Sequence, residues 1–231
     1  MLLTRPLSSG RPTQRFFFLK ATLSHIITRN TAENNVRHDK RRREMTLFLP
    51  EHILQSIPKY KAELDKNAPT ARDDGQPAQI ADSSVHDEAG FLHAISLAGG
   101  NDLPPIKPAA ANVPDVLKGL LRAHGVCAAL ELAALQDRIV AHVEYGPNLP
   151  AKKMLAFAKI VYDGDKSCDL AAFDAGSAMA KAIKRKLAFL VPELLQDGTV
   201  ERIKGEGGVL GTVLLEVVID HFAGKQAIKK E

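Results

Sequence analysis

The stretch Asn112-Val113-Pro114-Asp115-Val116-Leu117-Lys118-Gly119-Leu120-Leu121 decides the fold. Asn112 is a helix-capping residue, because its short polar side chain accepts from the first unbonded N–H groups of a helix. Pro114 suits the first turn, where no N–H bond is lost, and Asp115 sits at the positive end of the helix dipole. Val116, Leu117, Leu120 and Leu121 then supply the i, i+4 pairs of one buried face. Gly125 either ends this helix or weakens it.

The pattern recurs toward the C-terminus. Leu132, Leu135, Ile139 and Val143 form the stripe of a second helix, closed by Gly146, Pro147 and Pro150. A third helix is expected over 150–162, burying Met154, Phe157 and Val161. A fourth is expected over 177–191, burying Met179, Ile183, Leu187 and Leu190, and Pro192 kinks or restarts it. After Asp197-Gly198 two readings stand. Thr199–Lys204 and Val209–Val213 fit a β-hairpin around Gly205-Glu206-Gly207-Gly208. The favoured alternative is a helix from 209 that lines up Thr212, Glu216 and Asp220 at i+4 spacing. The expectation is a mainly α domain over 112–231, with about five helices, behind a disordered N-terminal region.

Residues 45–111 read as a Pro-, Asp- and Ala-rich linker, densest over 66–112, with short amphipathic segments. Eight of the thirteen prolines lie from Pro50 to Pro114, and such a stretch buries too little apolar surface to offset its ordering entropy. Ile53, Leu54, Ile57 and Leu64 share one side of a segment that Pro58 interrupts, and an apolar island runs from Phe91 to Leu97 before Gly99-Gly100.

The first 44 residues hold the basic balance. They carry eight Arg and two Lys against Glu33, Asp39 and Glu44, a net of +7. The whole chain is +4, so residues 45–231 carry −3. A pI near 9.0 is therefore no argument for nucleic-acid binding by the body. Phe16, Leu19, Leu23 and Ile26 fall at helical spacing in an Arg-rich, acid-poor segment that resembles a mitochondrial transit peptide. Lys40-Arg41-Arg42-Arg43 before Met45 also fits a phosphate-binding arm or nuclear signal. The third reading takes Met45 as the true start. The body is expected to be cytoplasmic, or to lie in the mitochondrial matrix if 1–44 is a transit peptide. Cys127 and Cys168 make no disulfide framework. No run reaches the ~18–20 apolar residues of a membrane span, and Val209–Phe222 contains Glu216 and Asp220.

Four local patterns could carry chemistry. Asp163-Gly164-Asp165-Lys166-Ser167-Cys168-Asp169-Leu170-Ala171-Ala172-Phe173-Asp174 resembles an EF-hand calcium loop, with Asp163, Asp165, Ser167, Asp169 and Asp174 as the oxygen ligands. Cys168 stands where the turn glycine belongs, and Asp174 is shorter than the usual Glu. The segment Asp169–Ser177 also resembles the turn of a helix-turn-helix, ahead of a helix bearing Lys181, Lys184, Arg185 and Lys186. Those four cations could meet DNA phosphates, with the hairpin as a wing. Gly205-x-Gly207-Gly208-x-x-Gly211 resembles a phosphate-cradling loop but lacks the Lys-Ser/Thr ending. His124 and Cys127, i and i+3 on one helix, could share a metal.

No nucleophile elbow and no cofactor fingerprint is visible. The expected class is a non-enzymatic regulatory or interaction protein, with a protein or DNA partner and the basic helix as its working surface. An Ala-rich body of this kind fits a bacterial, plasmid- or phage-borne regulator. The alternatives are a calcium-responsive module and an enzyme of another type.

Overall fold

The computed structural model describes residues 16–30, 36–67, 79–82, 87–166 and 170–228, in two compact units. The first holds a three-stranded sheet and two short helices. Strand β1 (Phe16–Asn30) pairs antiparallel with β2 (Val36–Pro50), from Phe16 opposite Pro50 to Asn30 opposite Val36. Strand β3 (Gln79–Asp82) runs parallel to β1, with Phe18 opposite Gln79. Helices α1 (Glu51–Gln55) and α2 (Pro58–Asn67) follow β2, and Leu54, Ile57 and Tyr60 are buried. Pro58 is the first residue of α2, the position where a missing N–H costs nothing.

The helical spacing read over Phe16, Leu19, Leu23 and Ile26 is corrected here, since this segment is a strand. Phe17, Leu19, Ala21, Leu23 and Ile27 occupy alternate positions, and Phe, Thr and Ile favour extended backbone. Met45 lies inside β2, paired with Ala21.

The second unit is the mainly α body. Its helices are α3 (Glu88–Ala98), α4 (Val113–Ala129), α5 (Ala133–Tyr145), α6 (Ala151–Asp163), α7 (Ala178–Gln196), α8 (Thr199–Glu206) and α9 (Val209–Ile228). Over 112–231 the helices α4–α9 agree with the expected mainly α domain of about five helices, and α3 precedes it. The apolar island becomes α3, which buries Phe91, Ala94, Ile95 and Leu97 well before Asn112. Helix α4 runs through Gly125 and buries Leu117, Leu120, Leu121 and Val126. Lys153 Nζ donates to the carbonyls of Pro108 and Ala110 at 2.8 and 3.1 Å, and His142 Nε2 lies 3.0 Å from that of Pro104. These bonds hold the proline-rich segment before α4 against α5 and α6, with Ile106 buried.

Helix α7 starts cleanly because the Ser177 hydroxyl accepts from the Ala180 N–H at 3.2 Å. It continues past Pro192 by one turn instead of breaking. The favoured helix from 209 is present as α9, and the alternative β-hairpin is corrected, since 199–206 is helix α8. Gly207 (φ +76°) and Gly208 (φ +89°) make the turn between them, in a backbone region that favours glycine. The Val200-to-Val213 wing therefore does not exist. Tyr162 Oη donates to the Ala180 carbonyl at 2.6 Å and ties α6 to α7. Burial, then Glu216, raise the Tyr162 pKa to about 12, so the phenol keeps its proton.

Met154 is 1% exposed in this core, whereas Leu92 is 43% exposed. Met154→Ala should cost about 2–5 kcal/mol in urea unfolding. Leu92→Ala should stay within about 0.5 kcal/mol of the parent. Equal costs would show that the helices are not packed as described.

Candidate interaction surface

The sequence singled out four cations on α7, and each has a different environment. Lys186 is buried, and its Nζ donates to the Gly146 carbonyl at 2.7 Å and the Pro147 carbonyl at 3.5 Å. Desolvation lowers its pKa and Glu144 opposes that shift. Its work is structural: it satisfies carbonyls that α5 leaves open at its end. Lys184 Nζ lies 2.8 Å from Glu216 Oε2 on α9. Arg185 Nε lies 2.6 Å from Glu144 Oε1 on α5. Lys181 is exposed, one turn before Arg185. The basic helix is thus partly neutralised from both sides, by one acid from α5 and one from α9.

The helix-turn-helix frame does not form. Leu170 to Phe173, where the first helix of that motif would lie, carry no helix. Leu170 and Asp165 instead exchange backbone bonds at 2.8 and 3.0 Å. A Cβ on Gly164 (φ +79°) would lie 2.8 Å from the Leu170 carbonyl oxygen, so only glycine fits where α6 ends.

Ser167 and Asp169 of the EF-hand-like loop lie outside the described residues. Asp163 Oδ1 accepts from the N–H groups of Val209 and Leu210 at 3.1 and 3.4 Å, capping α9 from a distant part of the chain. Asp165 Oδ2 is 2.7 Å from Lys118 Nζ. Asp174 Oδ1 accepts from the Gly176 N–H at 2.6 Å, a local turn. These three carboxylates point to protein partners in three different places. Among the described residues no three His, Cys, Asp or Glu side chains converge on a metal position. His124 and Cys127 are both buried in α4. Burial pushes the Cys127 thiol up to about 11, which makes it a poor ligand and nucleophile at neutral pH.

The sequence reading did not anticipate the apolar part of the surface. Tyr145 is 82% exposed at the end of α5, and Phe189, one turn after Arg185, is 77% exposed. Along α9, Leu215, Ile219 and Phe222 follow one another at i+4 and i+3 spacing and are all exposed, Ile219 at 56% and Phe222 at 48%. Helix α9 is apolar on its core face as well, through Leu210, Val213, Leu214 and Val217. Between α7 and α9 runs a groove of about 400 Å³, lined by Lys181, Lys184, Arg185 and Ala188 on one wall and Val217, Asp220 and His221 on the other. The signal available in the sequence was the weak amphipathicity of α9, which carries apolar residues on both sides of the Thr212, Glu216 and Asp220 stripe. No family model, curated protein or solved structure matches this chain. No helix among the described residues is long and apolar enough to cross a membrane.

His124 gives the testable electrostatic consequence. Its Nδ1 has no hydrogen-bond partner among the described residues, and its ring lies 5.4 Å from that of Phe173. Desolvation lowers its pKa, with Asp137 acting weakly against it. The ring therefore folds neutral and takes a proton more readily when unfolded. Its contribution to stability is complete above the unfolded value, about 6.5, and is lost as pH falls below it. His124→Leu should flatten the fall in urea midpoint from pH 7 to pH 5. An unchanged slope would remove His124 as its source.

Proposed function

We propose that this chain is a non-enzymatic interaction protein of regulatory type, which docks a protein partner on the outer faces of α7 and α9. One observation carries the reading. The chain has nine Phe, three Tyr and no Trp, yet Tyr145, Phe189 and Phe222 stand exposed on α5, α7 and α9. Folding gains nothing from aromatic side chains left in water, whereas interfaces are enriched in them. Leu215 and Ile219 extend the strip of Phe222 along α9 beside exposed Glu216 and Asp220, and α7 adds exposed Lys181 and Arg185, so the charged rim carries both signs. Such a rim selects a partner by charge pattern and supplies little raw affinity.

DNA contact through α7 is the competing reading. Glu144 and Glu216 weaken it, because a phosphate must displace them to reach Arg185 and Lys184. Position-specific photo-crosslinking separates the two. A photoreactive residue at position 219 of the full chain should give protein adducts in the native cell, and one at Lys204, exposed on α8, should not. Phe222→Asp should abolish those adducts while moving stability by less than about 0.5 kcal/mol. Equal adducts at both positions would overturn the proposal. So would duplex DNA binding whose log–log salt slope drops by about two units in the Lys181→Ala, Arg185→Ala double variant. Comparing variants of the full chain cancels the +7 of the first 44 residues, which would hold any polyanion.

A further inference from the structure

A second depression lies elsewhere on the helical unit, where α6, α8 and α9 meet. It encloses about 730 Å³, within the size range of small-molecule sites. Lys152 and Lys159 enter it from α6 and Arg202 from α8, with Leu155, Ile203 and Leu210 forming its apolar walls. Among the described residues Asp163 is the one carboxylate lining it, and that group is turned to the amides of Val209 and Leu210. Gly207 and Gly208 leave bare backbone along one edge. A Cβ on Gly208 would stand 3.1 Å from Asp163 Oδ1, so a side chain there would crowd the cap.

We propose that this cleft binds a small organic phosphate, its phosphate held by Arg202 and Lys152 and its apolar body against Leu155, Ile203 and Leu210. The chemistry of the lining defines this class. A guanidinium presents a fork that matches two phosphate oxygens, and an ammonium from another helix adds a point charge. Two cations from different helices, Arg202 and Lys152, favour a ligand with more than one negative charge. The apolar walls give no purchase to a bare inorganic ion, so the body of the ligand must supply part of the affinity. The glycine-rich loop is near the phosphate, as its sequence resemblance implied, but α9 already has its anion in Asp163. Recognition therefore comes from side chains and not from the helix terminus.

The test is a titration of the full-length protein followed by amide NMR at Gly207 and Gly208, with three probes: pyrophosphate, ADP and dihexanoyl phosphatidic acid. The first carries the head alone, the second adds a planar body and the third an alkyl body. Saturable shifts at both glycines are expected with ADP or the alkyl phosphate, at affinity about tenfold or more above pyrophosphate. The Lys152→Ala, Arg202→Ala double variant should weaken binding by about tenfold or more, while its circular dichroism and urea midpoint stay unchanged. Lys152 and Arg202 are both exposed, so the fold should survive the exchange. No shift at Gly207 and Gly208 up to about 10 mM of any probe would overturn the assignment. Equal affinity in the double variant would also overturn it, as would shifts confined to the basic first 44 residues. Pyrophosphate binding as tightly as the organic phosphates would refute the part played by the apolar walls.

Discussion

Burial around α7 is the constraint on which the body depends. Met179, Ala180, Ala182, Ile183, Leu187, Val191 and Leu194 all lose their water there. Helices α5, α6, α8 and α9 each contact it. A helix enclosed on so many sides needs small side chains where its neighbours approach closely, and Ala180 and Ala182 supply them. The Ala180 carbonyl can then be reached by the Tyr162 hydroxyl. Lys186 shows the other side of this constraint. A cation on the buried side of the helix is tolerable only with acceptors at hand, and the end of α5 provides them. Lys181, Arg185 and Phe189, one turn apart, stand among the residues left outside.

The helices of the body were legible because their apolar period is regular and their boundaries are marked. Asn112 and Pro114 mark the start of α4, Pro147 and Pro150 separate α5 from α6, and Ser177 caps α7. The C-terminal segment was ambiguous for a physical reason. Val209 to Val218 is rich in β-branched residues, which fit a strand or a buried helix equally well, and only the packing against α7 and α8 decides. Phe91 to Leu97 stood out as an apolar island but read as part of a linker because prolines lie on both sides. About two turns of mostly apolar residues suffice for a helix once a core exists to receive them. The strands of the first unit were hidden by basic residues that resemble a leader. A period of two and a period of 3.6 share several positions over so short a stretch.

The surface was less legible than the fold. Sequence shows that Lys184, Arg185 and Lys186 are cations, but not that Glu216, Glu144 and two carbonyls are waiting for them. Those partners lie on other helices, thirty to forty positions away in the chain, and no local rule brings them together. Asp163 is a similar case. Its spacing to Asp165 imitates a metal ligand pair, while its carboxylate caps a helix 46 positions further on. Carboxylates at regular spacing identify a metal site only when they converge, and convergence belongs to the tertiary structure.

Cys127 gives the helical unit an internal reporter. Its thiol is fully buried in α4, on the same side of the helix as Leu120 and His124, and burial keeps it protonated. A water-soluble thiol reagent cannot reach it in the closed form. The rate at which it is modified therefore follows how often α4 lifts from its neighbours, and the chemistry of the sulfur enters only once the helix has opened. In a protein with Ser at position 168, that rate is a clock for local opening, and it would slow in proportion to any ligand or partner that holds the body shut.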